Sequence, residues 1–401
     1  MSRILFVSGS IGLGHVTRDT AIAAALRDLR PDVTIDWLAT PPAKEYLRER
    51  GERVLAEADQ LLDPTRAAEG IAARGGLDIN RWAFGFRKQW AANGRICLDA
   101  MKAGGYDLFI GDETYDVAMQ VLRSESPPTF PVFVLYDFLG LDATSRSPLD
   151  RLIVLGFNRV WSTDPKGRLQ PVFIGEREDI PLRPFVPFGP SRRAWAERYA
   201  LIVDHVLDFD PAVYIGPAER AAVRARLGYG PEPTVVVSVG GTAVGEDLVR
   251  RCLDAFPAAR EAVDGLRMRV VCGPRMQLTG ATVPEGVEVL GYVPKLYEHF
   301  AACDLAIVQA GATTTLELTA LKRPFLYFPL ENHCEQLLHV APRQRRLGAG
   351  VELVLRNTPA RELARRIEEN VGKQVTYKDV PTKGAQQLAE HVLAAIGAAA
   401  C

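Results

Sequence analysis

The sequence predicts an α/β protein built from two doubly wound domains in tandem, and three observations carry that prediction. Short apolar runs alternate with longer segments of helical period, the pattern of parallel sheets whose crossovers are helices. Glycine-rich or small-residue turns leave three of the apolar runs, GSIGLGH at 9–15, SVGGTAVG at 238–245 and QAGATTT at 309–315. A proline-rich stretch over 165–217 interrupts the alternation between two regular halves. The length of 401 residues agrees, at about 150 residues per domain.

Taken in order, residues 4–7 read as a buried strand, followed by a helix over 17–29 with Ala21, Ile22, Ala25, Leu26 and Leu29 on one stripe. A strand over 33–38 completes a β-α-β unit, and further strands are expected at 107–110, 131–135 and near 159–162. Residues 79–90, INRWAFGFRKQW, mix Trp82, Phe84, Phe86 and Trp90 with Arg81, Arg87 and Lys88. That mixture suits an acceptor-lining or membrane-seated segment, and equally an amphipathic helix with solvated charges. The proline-rich stretch reads as an interdomain passage holding one helix over 193–207. Strands then return at 234–239, 268–272, 287–290, 305–308, 325–328 and 351–353, with helices at 245–255, 296–302, 314–321 and 334–347.

Composition narrows the function. Apolar residues make up 47% and charged residues 24%, which excludes a disordered chain. Lys plus Arg number 48 against 49 Asp plus Glu, so no general field attracts a polyanion and nucleic acid is not an expected partner. The six cysteines contain no C-x-x-C pair, arguing against a zinc framework or a disulfide scaffold. The first apolar run is too short for a signal peptide, and no stretch approaches the roughly 20 apolar residues that span a bilayer. A soluble protein of a reducing compartment is expected.

In open α/β sheets ligands bind beyond the carboxyl ends of the strands, so the three turns are where chemistry is sought. In the first, Gly14 and His15 open a helix whose dipole favours the neutral imidazole, a ring suited to general-base work. The plain alternative is a locally packed histidine. The glycine spacing is not G-x-G-x-x-G, which disfavours a dinucleotide cofactor. In the second, Gly240 and Gly241 precede Thr242, whose hydroxyl can donate to an anion. In the third, Gly311 and Ala312 keep the turn small, and Thr313, Thr314 and Thr315 begin a helix that carries Glu317. A diphosphate against the helix amides and ribose hydroxyls on the carboxylate fit this pattern; so does an ordinary threonine cap. Beyond the next strand Glu331, Asn332, His333 and Gln336 crowd one polar turn, where a sugar could be read.

With these residues in view, the chain resembles the GT-B nucleotide-sugar glycosyltransferases, closest to the peptidoglycan-precursor N-acetylglucosaminyltransferase branch and more distantly the UDP-glycosyltransferases of secondary metabolism. The resemblance runs through G-x-G-H at 12–15, GGT at 240–242, residues 291–317 and KRPFLYFPLENHCEQ at 322–336. It implies two Rossmann-like domains facing a central cleft: an acceptor domain over 1–205, a nucleotide-sugar domain over 206–380, and a carboxyl-terminal helix in 381–401 that crosses back to the first domain. It further implies donor contacts at Gly14, Gly241, Thr242, Val293, Gln309, Gly311, Ala312, Thr313, Thr314, Glu317, Glu331, Asn332 and Gln336. His15 falls on the family's base, with Asp112 as its orienting carboxylate and Asp137 as second choice, Asp137 otherwise facing the acceptor with Trp82 and Phe86. Two departures stand out: Gln309 replaces a histidine of the plant and antibiotic enzymes, and Leu337 replaces a second glutamine of the cell-wall enzyme.

The expected reaction is inverting transfer of a sugar from a nucleoside diphosphate, UDP first, to a hydroxyl or amine of a small molecule or lipid. No cofactor and no metal are expected, since helix amides and hydroxyls can carry the charge on the departing diphosphate. The D-x-D at Asp208 and Asp210 reads as linker, and His333, Cys334 and His339 lack the spacing of a metal set. A nucleotide-sugar hydrolase or epimerase of the same fold is the alternative, because IGLGHVTR at 11–18 is similar to the turn of one such hydrolase family. The expected location is the cytoplasm, with peripheral contact at the inner face of the membrane; the sequence leaves oligomeric state open.

Overall fold

In strand β1 (Arg3–Val7) the apolar side chains alternate between two faces, Ile4 and Phe6 on one, Leu5 and Val7 on the other. A strand apolar on both faces must be covered on both, which is the condition for a parallel sheet between helical layers. The computed structural model describes the chain except residues 1, 10–12, 65, 67–68, 70–78, 145–146, 160–166, 242–243 and 400–401, with backbone alone at 79–83 and 399.

Helix α1 (Gly14–Leu29) covers the first face through Val16, Ile22, Ala23 and Leu26. Strand β2 (Thr34–Leu38), helix α2 (Ala43–Glu49) and the two-residue edge strand β3 (Arg53–Val54) follow. Helix α3 (Ile79–Ala103) leads into β4 (Leu108–Asp112), and α4 (Tyr115–Arg123) into β5 (Val132–Tyr136). After α5 (Pro148–Asn158) come β6 (Gln170–Ile174), α6 (Arg192–Tyr199) and β7 (Leu201–Val203). The seven strands pair in parallel in the order β3-β2-β1-β4-β5-β6-β7, so the winding reverses between β1 and β4.

The second sheet repeats the scheme. Helix α7 (Pro217–Arg226) precedes β8 (Thr234–Ser238), α8 (Glu246–Ala262), β9 (Arg267–Val271) and β10 (Val287–Leu290). Then come α9 (Leu296–Ala302), β11 (Leu305–Gln309), α10 (Ala312–Ala320) and β12 (Phe325–Phe328). A π-helical turn (Gln336–Val340) runs into α11 (Ala341–Leu347), followed by β13 (Val351–Glu352), α12 (Ala360–Asn370) and α13 (Gly384–Ala399). The order β10-β9-β8-β11-β12-β13 reverses between β8 and β11. Val235 and Val237 face α8 and α12 on one side, while Val236, Ala306 and Val308 face α9 and α11 on the other.

The chain forms two compact units, Met1–Ala67, Ile79–Asp208 and Pro381–Cys401 in one, Ala68–Asp78 and Phe209–Val380 in the other. The proline-rich stretch needs correction, because β6 and β7 lie inside it. Pro171 is tolerated there because β7 pairs with β6 only from Val172 onward, so no ladder partner is lost at the missing N–H. The helix expected over 193–207 stops at Tyr199, where the chain extends into β7. Helix α8 runs past its expected end through Pro257 to Ala262. Of the strand expected near 159–162, residues 160–162 lie outside the described ones; α5 ends just before it at Asn158.

Helix α13 belongs to the first unit. Leu388, Ala389, Val392 and Ile396 join the apolar cluster under α1. Its entry is tied to the end of β7: His205 N–H donates to Pro381 O (3.1 Å) and Asp204 N–H to Gln387 Oε1 (2.7 Å). Leu388 is fully buried, so Leu388→Ala is expected to cost about 2–5 kcal/mol of stability. Chemical denaturation measures it; a midpoint equal to wild type would remove α13 from the core.

Candidate functional site

Both reversals of strand order bring strand ends together, and the polar residues of each sheet gather there. In the first sheet His15 opens α1 after β1, and Asp112 ends the neighbouring β4. Gly9 is required beneath the ring: a Cβ there would overlap the His15 imidazole. His15 Nδ1 lies 3.0 Å from Asp112 Oδ2. Arg18 Nη2 lies equally close to this Nδ1, at 3.0 Å, so the tautomer sets which contact is made; a neutral ring that donates Nδ1–H to Asp112 presents a bare Nε2, the form a general base requires. Glu113 Oε2 is 3.9 Å from that Nε2, on a backbone held in the left-handed region (φ 50°).

Asp112 itself is held by Arg18, a residue that the sequence reading passed over. One turn beyond His15, the buried Arg18 donates from Nε to Asp112 Oδ2 (2.8 Å) and from Nη2 to Asp112 Oδ1 (2.5 Å). Its Nη1 donates to Asp137 Oδ2 (2.8 Å). Asp112 therefore meets the imidazole directly, whereas Asp137 joins the group through the guanidinium. Burial raises the Asp112 carboxyl, but Arg18 and His15 outweigh it and hold the group well below the usual carboxylate range. Asp137 is depressed in the same way, burial again being overcome chiefly by Arg18. Burial, reinforced by the charge on Asp112, instead pushes Asp19 well up, towards the neutral acid; Ser8 Oγ donates to it at 2.6 Å.

A small recess opens beside Asp112, lined by Ser8, Thr40, Trp90, Asn93, Glu113 and Thr114. The buried Thr114 hydroxyl has no hydrogen-bond partner among the described residues. Phe86 does not line this recess; it is buried edge-on against Trp90, ring centroids 6.3 Å apart. The side chain of Trp82 lies outside the described residues.

In the second sheet the turn after β8 places Gly240 in the left-handed region (φ 87°), a conformation that favours glycine. Gly241 follows, and Thr242 lies outside the described residues. Beside β8, β11 ends at the buried Gln309, and Gly311 is the N-cap of α10. No side chain caps this helix. Thr315 Oγ1 turns back to Gly311 O (2.9 Å), so the threonine cap allowed by the sequence is not formed. The leading amides at Ala312, Thr313 and Thr314 lack intrahelical partners and carry the positive end of the dipole, the arrangement that receives an anion. Glu317 is buried on the same helix.

Around this start, Gln336 Oε1 accepts the Leu330 N–H (2.8 Å), which leaves its amide nitrogen as the donor group. Burial lowers His333 to about 4, so the ring is neutral near pH 7. Glu331 accepts from Arg356 (3.3 Å), Asn332 is exposed in a left-handed turn (φ 64°), and Val293 is half-buried after β10.

Two Rossmann-like domains, each a parallel sheet between helical layers, give the chain the GT-B architecture of the nucleotide-sugar glycosyltransferases. Residues 234–393 match the glycosyltransferase family 28 C-terminal domain. The chain is 33% identical over 349 residues to a UDP-N-acetylglucosamine–N-acetylmuramyl-(pentapeptide) pyrophosphoryl-undecaprenol N-acetylglucosamine transferase of Mycolicibacterium smegmatis, covering 84% of this chain and 77% of that one. It belongs to this family of glycosyltransferases. An uncharacterised glycosyltransferase of Methanopyrus kandleri is 29% identical over 162 residues, 40% of this chain and 43% of its own length. The fold is shared with the glycosyltransferase SnogD of Streptomyces nogalater (TM-score 0.58, 16% identity, 99% of this chain and 100% of that one). It is shared also with UGT89C1 of Arabidopsis thaliana (TM-score 0.57, 17% identity, 99% and 95%). The hydrolase or epimerase alternative finds no support among these relatives.

Because the Asp112 and Asp137 pKa values are depressed, their contribution to stability is complete above the usual carboxylate range and is lost as pH falls through the folded values. Arg18→Met leaves both carboxylates uncompensated and is expected to cost about 3–5 kcal/mol at neutral pH. The deficit should shrink below about pH 4, where these carboxyls begin to protonate in the unfolded chain and, without Arg18, in the variant. Denaturation at the two pH values checks this; an equal loss at both would deny the charge pairing.

Proposed function

We propose that the protein is an inverting glycosyltransferase that moves a sugar from a UDP donor to a hydroxyl or amine of a small-molecule or lipid acceptor. The observation that carries the reading is the His15–Asp112 contact at the first reversal of strand order. His15 Nε2 takes the acceptor proton as the acceptor atom bonds to the anomeric carbon. The bond from that carbon to the diphosphate oxygen breaks, and its electron pair leaves with the nucleoside diphosphate. Asp112, kept ionised by Arg18, stabilises the imidazolium until it returns the proton to solvent.

On the donor side, the α10 amides with Thr313 and Thr314 receive the diphosphate, so that metal-independent charge stabilisation is the proposed mode. Gly14, Gly241, Thr242 and Gln309 line the phosphate and sugar path in this reading, and Val293 meets the base edge. Glu317 accepts from both ribose hydroxyls, which favours UDP over a deoxyribose nucleotide. Gln336 donates to the sugar, with Glu331 and Asn332 on the turn beside it. The carrier-lipid substrate named for the Mycolicibacterium relative supports a lipid-linked acceptor. No helix among the described residues is long and apolar enough to cross a membrane. The proposed location is the cytoplasm, with peripheral contact at the inner membrane face, in keeping with the lipid-linked acceptor.

Incubation with a panel of UDP-, dTDP- and GDP-sugars without acceptor, followed by mass spectrometry, tests the reaction class. An intact donor, with one UDP-sugar raising the melting temperature, is expected. Rapid release of free sugar, abolished in His15→Ala, would instead make the protein a hydrolase. Glu317→Ala is expected to weaken UDP at least tenfold, about 1.4 kcal/mol, by calorimetry; unchanged affinity would sink the ribose assignment.

A further inference from the structure

Arg343 on α11 is 4% exposed. Among the described residues no carboxylate pairs with it, its Nε has no hydrogen-bond partner, and its one contact is a long Nη2 donation to Ala312 O (3.4 Å). A buried guanidinium carries five donors and is costly without an anion. The position compounds the cost. Ala312 is the first residue of α10, so the cation lies beside the positive end of a helix dipole and the uncapped amides. Cation and dipole repel one another in the free protein, and both gain when a multiply charged anion sits at the helix start.

We infer that Arg343 is a binding residue for the diphosphate of the donor, supplying the positive charge that Gln309, uncharged at the end of β11, does not. The inference rests on the nucleotide-sugar reading above and adds a specific counter-ion to it. The ligand class it selects is a nucleoside diphosphate in preference to the nucleoside. A scaffold role makes the opposite claim about the free protein: a buried cation that held the fold together would have its donors satisfied. Here the free protein bears the repulsion, and the ligand relieves it.

The test compares wild type with Arg343→Met and Arg343→Lys, using UDP and uridine as calorimetric probes and the melting temperature of the ligand-free chain. Arg343→Met is expected to lose at least tenfold in UDP affinity, to keep its uridine affinity, and to melt no lower than wild type. Arg343→Lys should retain most of the UDP affinity. Undiminished UDP binding by Arg343→Met would overturn the inference. Loss of UDP and uridine together, or a variant that melts well below wild type, would assign Arg343 to the scaffold and overturn it as well. Wild type that binds neither UDP nor uridine would instead bring down the nucleotide-sugar reading on which the inference stands.

Discussion

The arrangement of the first unit depends on one buried carboxylate, Asp112, remaining ionised. Removed from water at the end of a central strand, it would protonate if left alone. Arg18 prevents that with a two-pronged contact and extends its third arm to Asp137. A protonated Asp112 would be a weaker acceptor and could donate its own O–H to His15 Nδ1, so the preference for the Nδ1–H tautomer would be lost. The pieces meet because β1 and β4 are neighbours at the reversal of strand order, so α1 starts where β4 ends. Gly9 then allows the imidazole to lie close over the backbone. Sequence, topology and electrostatics converge on one ring nitrogen.

The second unit solves a complementary problem with the same topology. Where the first sheet carries the histidine proposed as a base, the second presents positive potential through helix amides without intrahelical partners and a buried arginine. Neither device needs a rare residue type. Both use what a parallel sheet leaves open beyond its carboxyl edge, which is why two sheets of similar winding can serve a donor and an acceptor. Membership of the glycosyltransferase family rests on the relatives; the division of labour proposed between the units rests on this geometry.

Much of this was legible in the sequence where local pattern and tertiary context agree. The strand at 287–290, the helix at 296–302 and the strand at 325–328 were readable to the residue, since apolar runs there are bounded by turn residues. Strands β6 and β7 were not, because prolines mask a strand unless the unpaired side of its partner is known. Pro257 similarly suggested too early an end for α8. The arginines were hidden for a different reason. Arg18 reads as a solvated helix cation until β4 and β5 bring carboxylates from 94 and 119 residues away. Arg343 sits in the run PRQRRL, which looks like an ordinary charged surface, yet it is buried. Long-range burial of a charge leaves no periodic trace.

The most direct test of the central claim is the tautomer of His15, read by nitrogen-15 NMR on histidine-labelled protein at a pH where the ring is neutral. The chain has six histidines, so a His15→Gln spectrum assigns the resonance. The expected result is a proton on Nδ1, donated to Asp112, with Nε2 unprotonated. A ring carrying its neutral-state proton on Nε2 would contradict the proposal that Asp112 and Arg18 prepare His15 as a base.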